Sequence, residues 1–237
     1  DSLSMKTKWS DNGNELEVTS PLSGVITAMA PVEDITISVT PELNLEEDSE
    51  ILLVKLNNKN RLAGSIFSEV TQFQYKNTPD IDDSSQFKIM FEAIQDIIKD
   101  QKILALHDIS DGGLITALLE MCFTKKIGMK LNLNGPNDIN EELFSEEIGL
   151  TLQVKKDLVE QIKNSLIQKN IYVEQIATLE KDNFIIIKND EKLFDESINQ
   201  LEKYWRETSH AIQSIRDNKK IADSELSLLD DKNFLGL

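Results

Sequence analysis

Residues 103–114 read ILALHDISDGGL, an apolar run followed by polar residues, two glycines and a leucine. The apolar run predicts a buried strand, and the two glycines predict a tight backbone turn. A helix is predicted next, because apolar side chains recur at helical spacing at Leu114, Ala117, Leu118, Met121 and Cys122. This passage from strand to turn to helix is typical of layered domains that combine helices with a sheet.

The predicted turn has the geometry of an anion site. Backbone N–H groups at the start of a helix lack partners within the helix, and the helix dipole adds partial positive charge there. A carboxylate at this position, Asp108, would repel phosphate unless a hard cation lay between them, so Asp108 is predicted to bind Mg²⁺. The alternative is purely structural: Ser110 or Asp111 caps the helix, and Gly113 permits close packing.

A second turn of the same kind reads Asn60-Arg61-Leu62-Ala63-Gly64-Ser65, between a predicted strand and a helix over residues 62–73. Arg61 has the planar fork that binds phosphate or carboxylate, and Ser65 has a hydroxyl to donate. The alternative for Arg61 is an ordinary surface position beside the start of a helix.

Strands and helices alternate around these two turns. Apolar side chains at helical spacing predict a helix from Phe87 to Ile98, and residues 158–170 predict another. Strands are predicted at residues 51–54, 129–133, 150–154, 171–179 and 184–187. The predicted fold class is therefore α/β (α+β), a mixed sheet packed with helices.

The two ends of the chain have a different pattern. Residues 2–39 alternate in a strand-like way, with an apolar run at residues 25–30 and another at 35–39. A long helix is predicted from Lys192, and the polar tail from residue 217 is predicted to be a linker. We therefore divide the chain into residues 1–40, a strand-like segment, residues 41–190, the α/β domain, and residues 191–237, the helix and linker.

Charge excludes several classes of partner. Asp and Glu number 42 against 25 Lys and Arg, a formal charge of −17, which repels nucleic acids and anionic lipid. A single cysteine, Cys122, cannot form an intramolecular disulfide and fits a reducing compartment. No apolar run reaches the roughly 20 residues of a membrane span. We expect a soluble, cytoplasmic protein.

Other reactive side chains are interpreted as structural. Cys122 lies on the apolar face of its helix and is predicted to be a buried thiol rather than a nucleophile. His107 is either an acid–base group or a hydrogen-bonded structural histidine, and His210 is predicted to face solvent. The glutamates around Leu143-Phe144, at positions 141, 142, 146 and 147, are predicted to form a solvated rim.

Several phrases, in order along nearly the whole chain, resemble large-type phosphoribosylformylglycinamidine synthases. The phrases are DSLSMKT at residues 1–7, APVED at 30–34 with VTP at 39–41, KNRLAGS at 59–65, HDISDGGL at 107–114, LEM at 119–121, LFSEEIG at 143–149, and scattered matches from Tyr204 to Asn218. Ala63, Asn58 and Ser145 depart from the family pattern, which has glycine, glycine and asparagine there. The first two departures put close backbone approach at the Arg61 turn in doubt.

The resemblance implies a part of an ATP-dependent C–N ligase, with a fold like the C-terminal domain of aminoimidazole ribonucleotide synthetase. That family converts formylglycinamide ribonucleotide, ATP and glutamine-derived ammonia to an amidine in purine biosynthesis. The resemblance assigns Asp108 to Mg²⁺ and Ser110 to a nucleotide, ATP or ADP, with Gly112, Gly113 and Arg61 as further candidate contacts. It assigns no catalytic residue to this chain.

The resemblance also implies that residues 1–40 are the last strands of the preceding synthetase subdomain and that residues 191–237 lead toward a glutaminase domain. The partners that it implies are the other half of the synthetase and that glutaminase domain, both in the same polypeptide. We expect the isolated chain to be inactive, and to dimerise or expose an apolar face. The alternative function is a non-catalytic scaffold that holds a structural Mg-nucleotide and packs against the other synthetase half.

Overall fold

The structure, a computed structural model, describes residues 6–20, 27–32 and 34–231. The chain divides into two compact units, one up to Ile35 and the other from Thr36 onward. Among the described residues, no helix combines the length and the apolar character needed to cross a membrane.

The first unit contains a β-hairpin of β1 (Lys6–Asp11) and β2 (Asn14–Thr19), joined by Asn12 and Gly13. Both turn residues have positive φ, 50° and 84°, which is the backbone that an Asn-Gly hairpin turn favours. All residues of the two strands are exposed.

The second unit is built on a seven-stranded sheet. Its strands are β3 (Ser49–Lys55), β4 (Ile103–Asp108), β5 (Gly128–Leu133), β6 (Gly149–Lys155), β7 (Tyr172–Glu180), β8 (Asn183–Lys188) and β9 (Glu191–Ser197). Their order across the sheet is β4-β6-β3-β7-β5-β8-β9. Neighbours are antiparallel except for the parallel pair β5 and β8, so the predicted mixed sheet is confirmed.

Helices cover both faces of this sheet. The helices of the unit are α1 (Ile66–Thr71), α2 (Ser84–Lys99), α3 (Gly113–Lys125), α4 (Ile139–Phe144), α5 (Val159–Ile167), α6 (Ile198–Arg216) and α7 (Lys219–Ser227). One core cluster joins the sheet to α3 and the start of α6, and the other joins it to α2 and α5. The α/β fold class is confirmed by this arrangement.

Strand β3 shows why the sheet must be covered on both sides. Its side chains alternate between the faces, so Ile51 and Leu53 enter the cluster with α3, whereas Leu52 and Val54 enter the cluster with α2. All four are at most 7% exposed. A central strand buried on both faces has a continuous apolar run rather than an alternating one.

Several predicted elements differ from the structure. Residues 35–37 form a short 3₁₀ turn, not a strand, and the described part of the apolar run at 27–30 is in no regular element. The remainder of that run, residues 25 and 26, lies outside the described residues. Helix α1 covers only Ile66–Thr71 of the predicted 62–73, because Ser65 caps its start and Gln72 ends it in a left-handed conformation.

The C-terminal part differs most. A long helix predicted from Lys192 begins instead at Ile198, because β9 comes first and pairs with β8 along the edge of the sheet. Five of the seven residues of β9 are exposed, so it lacks the apolar alternation of a half-buried strand. The polar tail contains α7, whose Asn218 side chain accepts from the amide of Lys220 and caps the helix.

Candidate functional site

The turn between β4 and α3, residues 108–113, has the predicted strand–turn–helix geometry. Gly112 and Gly113 both have positive φ, 87° and 75°, and the amide of Gly113 donates to the carbonyl of Ser110 at 3.0 Å. A Cβ on Gly112 would meet Thr116 Oγ1 at 2.3 Å, and one on Gly113 would meet the backbone of Phe144 at 2.6 Å. Both positions therefore require glycine, for conformation and for space.

The alternative that Ser110 or Asp111 caps the start of helix α3 is not supported by the structure. The N-cap of α3 is Gly112, which has no side chain to cap the helix, so neither Ser110 nor Asp111 performs that role. The side chains of Ser110, Asp111 and Asp108 are exposed. Asp108 keeps 70% of its side-chain surface, and one carboxylate oxygen lies 3.5 Å from His107 Nδ1. Its carboxylate is therefore accessible to an ion or ligand from solvent.

A glutamate joins the turn to the start of α1. Oε1 of Glu146 accepts from the amide of Gly112 and from the amide of Ile66, both at 2.9 Å. These two amides are at the starts of α3 and α1, where helix N–H groups lack partners within the helix. The Gly112 amide thus already binds an anionic oxygen in this structure, the kind of acceptor predicted for it.

Arg61 lies between two carboxylates. Its Nε and Nη2 donate to the two oxygens of Glu147, the second at 2.8 Å, and Nη1 and Nη2 donate to Asp82 at 3.2 and 2.9 Å. Hydrogen bonding to Glu147 raises the pKa of Arg61 further above its ordinary value. The predicted fork geometry is therefore present, but its partners are carboxylates of this chain.

The neighbouring serines hold the Arg61 turn. The Ser145 hydroxyl donates to the carbonyl of Arg61 at 3.0 Å, so the residue that departs from the family pattern still serves this turn. Ser65 Oγ donates to the carbonyl of Leu62 at 2.7 Å and accepts from the amide of Ser68, which makes it the N-cap of α1.

The prediction of a solvated rim of glutamates fits only Glu141, since Glu146 is partly buried against the starts of α1 and α3 and the other two are paired. Glu147 is only 2% exposed and is paired with Arg61. Glu142 forms an ion pair of 2.5 Å with Lys188, and both side chains are 11% exposed. Sequence reasoning missed these pairs because the partners are 86 and 46 positions away in the chain. A carboxylate needs such a partner when it is buried.

Lys55 is a further buried charge that the sequence did not single out. Its ammonium donates to the carbonyl of Lys59 and to Oδ1 of Asn60, and it lies 5.9 Å from the centroid of the Tyr172 ring. Burial lowers the pKa of Lys55 to about 8, against the opposing effect of carboxylates such as Glu147. The only sequence signal was a lysine at the end of an apolar strand. Lys55 thus supports the loop that carries Arg61.

The other candidates have structural partners. Cys122 is fully buried, as predicted, and burial raises the pKa of its thiol well above the ordinary range. His107 lies between the carbonyl of Asp108, 2.8 Å from Nδ1, and Oε2 of Glu120, 2.9 Å from Nε2. His210 was predicted to face solvent but is partly buried, because it contacts Asp223, 3.0 Å away, and so links α6 to α7. These observations favour the structural interpretation of each.

Asp108 is the residue of this chain for which metal binding was predicted. Over the described ranges, no three His, Cys, Asp or Glu side chains come together in a way that could hold a metal ion. Mg²⁺ commonly uses one or two carboxylates and completes its shell with phosphate oxygens and water. A single exposed carboxylate would satisfy that pattern only as one ligand of an ion shared with other groups.

Solved structures share this fold. PurL of T. maritima complexed with ATP superposes with a TM-score of 0.59 and 14% sequence identity, over 70% of this chain and 27% of that one. Phosphoribosylformylglycinamidine synthase II from Thermotoga maritima gives 0.58 and 13%, over 70% and 28%. T. maritima PurL complexed with FGAR gives 0.58 and 13%, over 70% and 30%. This chain therefore spans less than a third of the length of those proteins.

A family match defines the domain more closely. Residues 46–188 match the family described as AIR synthase related protein, C-terminal domain. These residues contain β3 to β8 and both turns, so the match covers the Arg61 turn and the turn at Asp108. Because the match takes in more than half of the 237 residues, this chain belongs to the family of AIR synthase related proteins and contains the C-terminal domain of that family.

Proposed function

We propose that this chain is part of phosphoribosylformylglycinamidine synthase, an ATP-dependent C–N ligase. That enzyme converts formylglycinamide ribonucleotide, ATP and glutamine-derived ammonia to the amidine in cytoplasmic purine biosynthesis. The family membership, the order of the sequence phrases and the shared fold support the proposal. The observation that carries it is the Gly112 amide, which donates to a carboxylate at 2.9 Å and so has the geometry of an anion site.

The proposed roles follow from position and charge. Asp108 would supply one ligand to Mg²⁺, and the ion would neutralise phosphate charge when bound. Ser110 and the amides of Gly112 and Gly113 would contact the phosphates of ATP or ADP. Arg61 is a further candidate contact for the nucleotide. Because Glu146 already accepts from Gly112, a phosphate at this amide has to displace that carboxylate.

Partners complete the proposed site. A lone carboxylate leaves most of the Mg²⁺ shell to other groups, and the chain covers 27–30% of the solved relatives. We therefore propose that the other synthetase half supplies the remaining ligands and that a glutaminase domain of the same polypeptide supplies ammonia.

A second candidate is a scaffold that binds a Mg-nucleotide without turning it over. The observation that favours it is Glu146, whose carboxylate links the starts of α1 and α3 and thus gives this turn a structural role. Turnover in the full-length enzyme separates the two functions. In Asp108→Asn, a loss of stability and bound nucleotide at near-normal turnover supports the scaffold, whereas a loss of turnover at normal occupancy and stability supports a catalytic site.

Calorimetric titration of the chain with ATP and with ADP, each with and without Mg²⁺, tests the nucleotide site. We expect binding that depends on Mg²⁺ and is weakened at least tenfold by Asp108→Asn. Asp111→Asn is the matched control, because it removes another exposed carboxylate three positions away. Equal loss in both variants would mean that only general charge matters, and unchanged binding in Asp108→Asn would reject the role of Asp108.

A further inference from the structure

The chain contains two Asn-Gly steps, Asn12-Gly13 in the hairpin of the first unit and Asn134-Gly135 after β5. An asparagine followed by glycine can modify itself. The backbone nitrogen of the glycine attacks the side-chain amide carbon of the asparagine, a five-membered succinimide ring closes, and ammonia leaves. Water then opens the ring to give aspartate or isoaspartate. Glycine favours the attack because it has no side chain beside its nitrogen and adopts many backbone conformations.

Exposure does not distinguish the two steps. The side chains of Asn12 and Asn134 are both exposed, and no described residue would come within 4 Å of a Cβ on either glycine. Both glycines have positive φ, 84° and 107°. Water and base therefore reach both asparagines, and a difference in reactivity has to come from the backbone nitrogen that attacks.

The backbone nitrogen of Gly135 is held by hydrogen bonds. Its N–H donates to Oδ1 of Asn189 at 2.9 Å, and Nδ2 of Asn189 donates to the carbonyl of Gly135 at 3.1 Å. The backbone amide of Asn189 in turn donates to the carbonyl of Leu133 at 3.1 Å. To attack Asn134, the nitrogen must lose its proton and swing toward the side chain, and both changes break the hydrogen bonds to Asn189.

The backbone nitrogen of Gly13 lacks this restraint. Among the described residues, none accepts a hydrogen bond from its N–H. The hairpin pairs Asp11 with Asn14 and leaves Asn12 and Gly13 as a two-residue loop. Every residue of β1 and β2 is exposed, and a two-stranded hairpin is at best marginally stable in water. The loop therefore opens at little cost, and the geometry of attack becomes accessible.

We propose that Asn12 is a site of spontaneous deamidation and that Asn189 protects Asn134 from the same reaction. Overall, one water is consumed and one ammonia is released at Asn12, without an oxidant, a metal or a second protein. The hairpin lies outside the turns at Asp108 and Arg61, so this proposal does not depend on the proposed function.

The product changes the hairpin as well as its charge. Isoaspartate continues the chain through the former side chain and so adds a methylene group to the backbone of the loop. A two-residue loop fixes the register of its strands, here with Trp9 opposite Leu16. We expect the register to be lost in the isoaspartate product, so that the amide hydrogens of β1 and β2 exchange faster than in the unmodified chain.

Peptide mapping by mass spectrometry measures the reaction at both steps in one sample. The chain is kept in mildly alkaline buffer, since the attacking nitrogen has to lose its proton, and aliquots are digested over time. In the folded chain we expect isoaspartate and aspartate to accumulate at residue 12 about tenfold or more faster than at residue 134. The chain unfolded in urea is the reference, in which the two steps should react at similar rates.

Two variants at Asn189 test the protection. Asn189→Gly suits the positive φ of 49° and removes both hydrogen bonds to Gly135, so we expect deamidation of Asn134 to become about tenfold faster. Asn189→Asp is the matched control, because its carboxylate still accepts from the Gly135 amide, and we expect Asn134 to stay protected. Neither variant should change the rate at Asn12.

Other outcomes overturn the proposal. If Asn12 does not react in the folded chain while the urea-unfolded chain does, the hairpin protects it. Equal rates at the two steps in the folded chain would mean that the hydrogen bond of the glycine amide has no effect. An unchanged rate at Asn134 in Asn189→Gly, or the same rise in Asn189→Asp, would reject protection by an acceptor at residue 189. Unchanged hydrogen exchange in the isoaspartate product would reject the loss of register.

Discussion

Among single residues, Glu146 is the direct competitor of phosphate at the proposed nucleotide turn, because its Oε1 occupies the Gly112 amide. We predict that Glu146→Gln strengthens Mg-ATP binding about tenfold, or ~1.4 kcal/mol, since the repelling charge is lost while an acceptor remains for the helix amides. Calorimetric titration measures the change. Glu141→Gln is the control, as an exposed glutamate in α4. Weaker binding in Glu146→Gln would instead make this carboxylate part of the nucleotide site.

Lys55 gives a prediction about pH. Its pKa falls to about 8 in the folded chain from an ordinary value of 10.5, chiefly because the ammonium group is buried. Between pH 8 and 10.5 the unfolded chain therefore binds more protons at Lys55 than the folded chain does. The free energy of unfolding rises with pH wherever this holds, so the contribution of Lys55 rises across that window.

The variant Lys55→Met isolates that contribution. We expect the native chain to gain roughly 3 kcal/mol of unfolding free energy relative to Lys55→Met between pH 8 and 10.5, as an upper figure from the pKa difference. Urea unfolding at several pH values measures it, and taking the difference cancels other titrating groups. Lys88→Met, at an exposed position, should follow the native pH profile. Parallel profiles for the native chain and Lys55→Met would reject the prediction.

Between elements, α3 and α4 approach each other closely at Gly113. Gly113 has a positive φ of 75°, and a Cβ there would lie 2.6 Å from the backbone of Phe144. Gly64 has nearly the same φ, 77°, but its nearest neighbour would be Thr78 Cγ2 at 3.8 Å. The two glycines therefore separate the cost of backbone conformation from the cost of contact.

We predict that Gly113→Ala destabilises the chain by about 1–3 kcal/mol more than Gly64→Ala does. Gly64→Ala should cost about 1 kcal/mol for the left-handed backbone alone. The extra loss comes from moving α4 away from α3, which is the kind of overpacking that costs ~1–3 kcal/mol. Urea unfolding of the two variants measures the difference. Equal destabilisation would show that α4 moves freely.

What the sequence could predict depended on burial. Strand β3 and helix α2 were predicted correctly because their apolar side chains follow the period of a buried element. Strand β9 was missed because it is an exposed edge strand held by hydrogen bonds to β8. In the candidate site, the turn at the two glycines was predicted from local pattern, whereas the role of Asp108 as a Mg²⁺ ligand stays a prediction. The positions of Glu146 and Glu147 could not be found, since their partners are distant in sequence.

At the scale of the whole molecule, the hairpin of the first unit leaves apolar side chains uncovered. Trp9 lies opposite Leu16 in the hairpin register and Thr7 opposite Val18, and the three apolar residues are 40–54% exposed. An isolated two-stranded hairpin is marginally stable in water, and exposed apolar surface promotes association. Dimerisation of the chain stays a prediction, and the apolar face of this hairpin is the surface predicted to mediate it.

Sedimentation equilibrium over a range of concentrations tests it. We expect a reversible dimer that is weakened at least tenfold by Val18→Gln. Glu17→Gln is the matched control, because it changes the adjacent residue on the opposite face of the hairpin. A monomer at all concentrations, or equal effects of both variants, would reject association through this face.

The last prediction concerns turnover by the 237-residue chain alone. We expect no amidine formation from ammonia, formylglycinamide ribonucleotide and ATP, even where Mg-nucleotide binds. Asp108 is one carboxylate, no group of three potential ligands exists among the described residues, and Mg²⁺ needs six ligands around it. Catalysis of this kind depends on charged groups fixed around the reacting phosphate, and removal of a single such donor costs about 10²–10³ in rate.

Phosphate release and amidine formation are measured together on a preparation whose nucleotide binding has already been established. That binding is the control for folding, because a denatured chain would also be inactive. Turnover that disappears in Asp108→Asn but persists in Asp111→Asn would overturn the prediction and place a complete active site in this chain. Absence of turnover with intact binding is the expected result, and it would agree with the proposal that groups outside this chain complete the active site.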